Sequence, residues 1–378
     1  MENRGILVNN SAPPKIHKFV FSLNILYTKK SMNSIFTQKM DKIEEALNKA
    51  LNMDFTPEWQ NNTFGTLSAA VQKSYIQTLI QPNKNLIDLG GKRWRPLLLI
   101  LCYEYAAKTG KNPMNEETAY ALTPLVEFVH TASLIHDDIE DSADLRRGKP
   151  AAHITYGTDT AINCASWLYF QAPVCINTVK ISQEDKLFLY ELYTRELRRL
   201  HLGQAMDIFW HKNKDVFPSL EEYKSMVKCK TGTLASLASQ IGMIAGGKKE
   251  DAQKTGEICA NIGIGFQILD DVINLTKGNP GKKRGDDIVE GKKSLPVLLH
   301  IQENPQDKKV ISALMDRAYK EGIDSGAVEE CIALLEKSGC IKKAAEEGTK
   351  LIKENCALLQ DAPLIFELFN NMIPENFR

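Results

Sequence analysis

From Ile35 onward the apolar residues fall three and four apart, with Met40, Ile43, Leu47 and Leu51 opening the series. That spacing lines side chains along one face of an α-helix. The same period runs through Ala119–Asp141, through YGTDTAINCASWLYFQAPVCI after His153, through ELRRLHLGQAMDIFW, and through Tyr223–Gly247 and Ala327–Gln360. No convincing strand and no repeat of roughly 20–50 residues interrupts it. The pattern therefore predicts an all-α fold, a single large helical bundle. Gly90–Gly91 breaks one helix and Pro96 opens the next at its first turn. Gly232, Ala235, Ser236 and Ser239 predict close helix approach. No apolar run approaches the roughly 20 residues needed to span a bilayer.

Residues 1–31 depart from this pattern. They carry Arg4, Lys15, Lys18, Lys29 and Lys30 against Glu2 alone, with one short apolar run, Phe19–Tyr27. They read as a disordered extension, or as sequence before a start at Met32, with a targeting segment as the alternative. The helical domain is expected over 32–378. Hydrophobic content of 43% in 378 residues is ample for a core. Lys plus Arg equals Asp plus Glu at 47 each, so no global field favours nucleic acid or an anionic membrane. The eight cysteines are scattered through apolar positions without a CxxC pair and read as core residues of a reducing cytosol.

The chemistry lies where acids interrupt apolar helices. In LIHDDIEDSADLRRGKPAAH, Asp137 and Asp141 fall one turn apart on one face, with Asp138 beside them. Only oxygen ligands are on offer, which favours Mg²⁺ over zinc, and Mg²⁺ usually shares its shell with substrate phosphate. Arg146 and Arg147 follow, suited to phosphate oxygens, and Gly148 lets the backbone turn after them. A second pair, Asp270 and Asp271, ends another apolar run, with Asn274 as a neutral oxygen ligand one turn on. One such pair alone reads as a solvated helix face. Two of them, flanked by basic motifs, read as a site.

In DLGGKRWRP, Lys92, Arg93 and Arg95 gather at a helix N-terminus, a second phosphate site or else an exposed basic loop. His130 lies two turns before Asp137 on the same stripe, either a core residue or a polar contact to substrate, whereas His136 reads as structural. Gln204 and Asp207 share a face and either reach substrate or end a surface helix, while Lys230 and Thr231 supply donors. Lys282, Lys283, Arg284, Lys292 and Lys293 lie in a Gly/Lys-rich loop able to close over phosphates, partly offset by Asp286 and Asp287. Two aspartate clusters and two basic sites suggest two diphosphate substrates. Loss of one diphosphate would leave an allylic cation, shielded from water by apolar walls.

The motifs GGKRWRP, HTASLIHDDIEDSADLRRGKPAAH, GQAMD, KTGT, and FQILDDVIN followed by GKKRGDDIVEGKKSLP resemble the head-to-tail trans-isoprenyl diphosphate synthases of the polyprenyl synthetase family. The resemblance implies an isoprenoid synthase bundle with a central substrate cavity. It implies that Asp137, Asp138, Asp141, Asp270 and Asp271 hold Mg²⁺ on an allylic diphosphate. Arg146, Lys230, Thr231, Gln267 and Lys282 would contact that substrate. Gly91, Lys92, Arg95, His130 and Arg147 would hold isopentenyl diphosphate. Ionisation would centre on Asp137, Asp141, Asp270, Lys230 and Lys282. A homodimer and a cytoplasmic location are implied in the same way. Ala132 and Ser133 are small where short-chain members place aromatic rings, which predicts geranylgeranyl or longer products, with Val129, Phe128 and Val126 as a stop further down. A class I terpene cyclase would leave GGKRWRP and Arg147 without purpose. A regulatory subunit would be expected to have lost one of the two sites.

Overall fold

The computed structural model describes residues 35–278 and 283–377; the expectations for residues 1–31 and for Lys282 lie outside the described residues. Helix α1 (35–50) buries Ile43 and Leu47, as their spacing predicted. Helices α2 (Pro57–Phe64), α3 (Lys73–Asp88) and α4 (Trp94–Ala107) follow. The helix expected over Ala119–Asp141 is two, α5 (Glu116–Ala121) and α6 (Pro124–Glu140). Pro124 lacks an N–H to continue α5 and occupies the first turn of α6 instead.

A second difference follows α6. Strands β1 (Leu145–Arg146) and β2 (Lys149–Pro150) pair antiparallel, a ladder too short for alternation to reveal. Between them Arg147 and Gly148 have φ of 52° and 74°, the left-handed pair that closes a two-residue hairpin. The chain continues through α7 (Ala152–Tyr156), α8 (Thr158–Gln171), α9 (Val174–Thr178) and the 30-residue α10 (Gln183–Lys212). Helix α11 (Leu220–Val227) runs through a π-helical turn, Lys228–Gly232, into α12 (Thr233–Ala245). Then come α13 (Lys249–Thr276), α14 (Asp286–Glu290), α15 (Leu295–Glu303), α16 (Lys308–Glu321), α17 (Gly326–Lys337), α18 (Cys340–Ala357) and α19 (Pro363–Met372).

The core is a stack of helices. α12 is buried along its whole length and packs on both α4 and α13, while α13 also packs on α18. α13 corrects the expectation about membrane spans, because by length and composition it is apolar enough to cross a bilayer. Polar residues such as Asn261 and Gln267 break its apolar sequence, so no unbroken run marks it. Its most apolar window is 67% buried inside the fold. All eight cysteines are free and seven of them are buried.

Candidate active site

A cavity of about 790 Å³ opens between α6, α10, the π-turn with α12, and α13. On the α6 wall His130, Ser133, Asp137 and Glu140 form a stripe at helical spacing, continued by Asp141 at the helix end. Asp137 and Asp141 thus face the same space, as expected. Gln204 of α10 donates to Asp137 Oδ1 at 2.9 Å and also to Glu140, which places it in the site rather than on a surface. Burial pushes Asp137 up to about 6, opposed by Lys230 and reinforced by Asp141 and Glu140.

Asp138 behaves differently. It is 1% exposed, and it borders a separate pocket of about 410 Å³ rather than the cavity. Its Oδ1 accepts from Arg146 Nε at 2.8 Å. Arg146 itself lines both spaces. The geometry does not meet the expectation that Asp138 faces the same space as Asp137; neighbours in a helix diverge by about 100°, and here that turn carries Asp138 toward Arg146 and out of the cavity.

The opposite wall is divided less sharply. Asp270 and Asp271 of α13 both line the cavity, but Asp271 is only 6% exposed. Its Oδ2 accepts from the Tyr223 hydroxyl at 2.6 Å and its Oδ1 from Gln267 Nε2 at 3.1 Å. Thr231 Oγ1 donates to Gln267 Oε1 at 3.0 Å. Burial pushes Asp271 up to about 7, with Asp287 and Asp270 reinforcing it and Tyr223 and Gln267 opposing.

Asn274 is buried outside the cavity lining, and its Oδ1 accepts the Asp287 backbone N–H at 3.3 Å. That corrects its reading as a ligand: the neutral side chain anchors α14. Asp287 itself does reach the cavity, a carboxylate that sequence reasoning treated only as an offset to the loop lysines. Those lysines divide. Lys292 lines the cavity and pairs with Asp287 at 3.3 Å and with Glu290, and Lys293 lines it while donating to the Lys214 carbonyl at 3.1 Å. Lys283 instead pairs with Asp324, and Arg284 with Glu329 and Glu336, so neither closes over the cavity.

Lys230, in the π-turn, donates to Asp207 Oδ2 at 2.7 Å. Burial alone would lower its pKa, but Asp207 and Asp137 hold the ammonium above its usual range. A Cβ at Gly203 would stand 2.4 Å from the Lys230 backbone nitrogen. The glycine of GQAMD therefore lets α10 seat against the turn that presents Lys230.

At the basic end, Arg95 and His130 line the cavity. The Arg95 guanidinium lies over the Trp94 ring at 4.5 Å, and burial lowers its pKa to about 10. Burial, then the charges of Arg95 and Arg147, hold the His130 imidazole well below its usual pKa. Arg147 Nη1 donates to the carbonyls of Leu86, at 3.0 Å, and Gly90. A Cβ at Gly91 would meet Arg147 Nη2 at 3.0 Å, so the glycine leaves room for this arginine. Lys92 is exposed on the same loop. Arg93 departs from the expected cluster: it is 3% exposed and bound to Glu44 and Glu127.

Over residues 76–335 the sequence matches polyprenyl synthetase. The chain belongs to the polyprenyl synthetase family. It is 34% identical over 299 residues to geranylgeranyl pyrophosphate synthase 2 of Zymoseptoria tritici, across 78% of this chain and 86% of that one. Its identity to geranylgeranyl pyrophosphate synthase paxG of Penicillium paxilli is 35% over 241 residues, 63% of this chain and 62% of the relative, so it spans less than two thirds of that protein. The fold is similar to the crystal structure of geranylgeranyl pyrophosphate synthetase from Pyrococcus horikoshii, with a TM-score of 0.76 and 26% identity over 92% of this chain and 99% of that one.

In this polyprenyl synthetase the apolar end of the cavity differs from the expected floor. Ser133 lines it, but Ala132, Val129, Phe128 and Val126 are buried in the core away from it. Besides His130 and Tyr223, the rings that border the cavity are His136, Tyr169, Phe170 and His201. His136 stacks on Tyr169 with centroids 5.6 Å apart and planes 3° from parallel, and His201 meets the same ring edge-on at 5.2 Å. His136 reads as structural because it lies on a different helix face from Asp137, and Tyr169 lies in an apolar run that looks like ordinary core, yet both border the cavity. No local signal marks a tertiary stack between α6, α8 and α10.

Proposed function

We propose that the cavity joins isopentenyl diphosphate to an allylic diphosphate, head to tail and trans, giving a geranylgeranyl or longer polyprenyl diphosphate and pyrophosphate. The observation that carries this is one cavity with carboxylates on two facing walls and cations around them: Asp137 and Asp141 on α6, Asp270 on α13, with Arg146, Lys230 and Lys292 between. Among the described residues no three His, Cys, Asp or Glu side chains gather closely enough to hold a metal ion by themselves. Acids split across a gap fit Mg²⁺, which typically takes one or two carboxylates and completes its shell with substrate phosphate and water. Asp137, Asp141 and Asp270 would hold it. When bound, it supplies positive charge that makes diphosphate a better leaving group.

The chain's own residues do the rest. Lys230, kept charged by Asp207, and Arg146, ordered by Asp138, offer donors to the departing diphosphate. Gln267, fixed between Thr231 and Asp271, presents a rigid amide beside them. Arg95, Arg147, Lys92 and His130 receive the second diphosphate at the other end. Leu134, Leu197, Leu200 and Leu234 give apolar walls that exclude water from an allylic cation. The growing chain extends toward the His136–Tyr169–His201 stack, which we propose as the floor. A homodimer is proposed through α8 and α10, where Ile162 (45%), Phe170 (77%), Leu202 (57%) and Phe209 (55%) leave large apolar side chains exposed.

The test is incubation of purified protein with Mg²⁺, labelled isopentenyl diphosphate and, separately, dimethylallyl, farnesyl and geranylgeranyl diphosphates, followed by sizing of the dephosphorylated products. One defined polyprenyl alcohol of twenty or more carbons is expected. Folded protein that incorporates no label with any primer would overturn the reading.

A further inference from the structure

Arg93 lies in the middle of the most basic stretch of the site, yet it does not reach the cavity. Its backbone is left-handed, with φ 44° and ψ 24°, at the cap of α4. A non-glycine residue keeps that conformation only where its surroundings hold it. Here they do. The side chain is fully buried, with Nε donating to Glu44 Oε1 at 2.7 Å, Nη1 to Glu127 Oε1 at 2.7 Å and Nη2 to the Ile87 carbonyl at 2.6 Å. One guanidinium thus ties α1, the end of α3 and α6 to the loop that carries Lys92 and Arg95.

Glu127 is the other half of the arrangement. It is 2% exposed, one turn before His130 on α6, and three guanidinium groups act on it: Arg93 by direct bonds, Arg95 and Arg147 through space. Arg95 has a buried Nε with no hydrogen-bond partner. Glu127 is the one acid whose charge opposes the desolvation of that guanidinium. Arg95 therefore keeps an unpaired Nε–H at the basic end of the cavity, while Arg93 holds the buried acid behind it.

We propose that Arg93 and Glu127 are positioning residues for the isopentenyl diphosphate site, a buried brace that sets the aim of Lys92, Arg95 and Arg147 without touching substrate. This rests on reading those three cations as that site. Lysine at 93 keeps the charge but loses the fork that satisfies three acceptors on three elements at once.

The experiment compares wild type, Arg93→Lys, Glu127→Gln and the milder Glu44→Gln, whose acid lies partly exposed on α1. Binding of isopentenyl diphosphate alone is measured by calorimetry. KM for each substrate, kcat and the thermal midpoint are measured beside it. Wild type that binds isopentenyl diphosphate but gives no condensation would count against the proposed function and leave the brace standing. In Arg93→Lys, weaker isopentenyl diphosphate binding by about 10-fold or more is expected, with the allylic KM and kcat changed less than about 3-fold. In Glu44→Gln the same selective loss of about 2- to 4-fold is expected at a nearly unchanged thermal midpoint. If Arg93→Lys and Glu127→Gln fail to fold, Glu44→Gln decides. Isopentenyl diphosphate affinity equal to wild type in folded variants, or equal losses for both substrates, would overturn the brace and leave Arg93 as an ion pair that only holds the fold together.

Discussion

The two aspartate pairs look alike in sequence, yet their inner members are held by opposite means. On each wall one acid, Asp137 or Asp270, faces the cavity; its neighbour is nearly buried, Asp138 turned out of the cavity altogether and Asp271 still bordering it. Asp138 is met there by a cation, Arg146. Asp271 is met by neutral donors, the Tyr223 hydroxyl and the Gln267 amide. The inner acids thus orient side chains that themselves line the cavity. Their difference is electrostatic: one carboxylate is compensated within the fold, and the other sits in a field made more negative by Asp287 and Asp270.

Substitutions at the outer and inner positions break or confirm that division. Asp137→Asn and Asp270→Asn should each lower kcat by about 10²- to 10³-fold, as expected when a charge-stabilising group is removed at the reacting centre. Asp138→Asn and Asp271→Asn should cost only about 10-fold, because Asp138 lies outside the cavity and both oxygens of Asp271 are already engaged by Tyr223 and Gln267, so the changes chiefly loosen Arg146 and Gln267. Steady-state turnover of the four variants at saturating substrate checks this. Equal losses within either pair would erase the distinction.

Product size separates the α6 wall from the core behind it. Ser133→Phe places a ring in the cavity and should shorten the main product, while Tyr169→Ala opens the stack and should lengthen it. Ala132→Phe should do neither, and should instead destabilise the protein by about 1–3 kcal/mol through overpacking. Sizing of dephosphorylated products together with thermal melts reads all three. A shorter product from a stable Ala132→Phe protein would restore the floor expected from the sequence.

These cases also show what the sequence made legible. The outer aspartates, Arg146, Lys230, Thr231, Gln267, Arg95 and His130 line one cavity, and each sits in a local pattern that points it there. Asp138, Ala132, Arg93 and Asn274 lie outside that cavity although residues near them in the sequence line it. Direction within one helix is a local property, whereas the surroundings on the far side depend on which other helix packs there. Arg93 reads as one more phosphate ligand until Glu44 and Glu127 arrive from residues 49 and 34 positions away. Tyr223 and Tyr169 carried no signal, because a buried tyrosine in an apolar helix announces nothing about the partner of its hydroxyl or ring.

Tyr223→Phe removes one of the two donors on Asp271 and leaves that oxygen without its hydroxyl partner. A loss in kcat of about 3- to 10-fold is expected, smaller than for Asp270→Asn, since Gln267 still holds the other oxygen. The corresponding loosening of the first pair, Arg146→Lys, removes a cavity cation as well as a tie, so it should cost more. Steady-state kinetics of the two variants side by side checks the order.

The smallest effect is one of pH, and it reports on compensation directly. Asp271 is raised to about 7 and Asp137 to about 6 in the folded chain, against about 3.9 for an aspartate in an unfolded one. A carboxyl raised in this way binds its proton more tightly when folded. Its contribution to stability is complete below about pH 4 and disappears as pH rises through about 6 to 7. Metal-free protein, kept so with a chelator, should therefore lose thermal stability between about pH 4 and pH 7, and Asp271→Asn should flatten that fall. Asp138→Asn should flatten it less, because Arg146 already opposes the burial of Asp138. Divalent cation added at pH 8 should raise the midpoint of wild type, as a ligand that binds only the folded state must. A steeper fall in Asp271→Asn than in wild type would mean that Tyr223 and Gln267 hold that carboxylate ionised, and that the two walls are compensated alike.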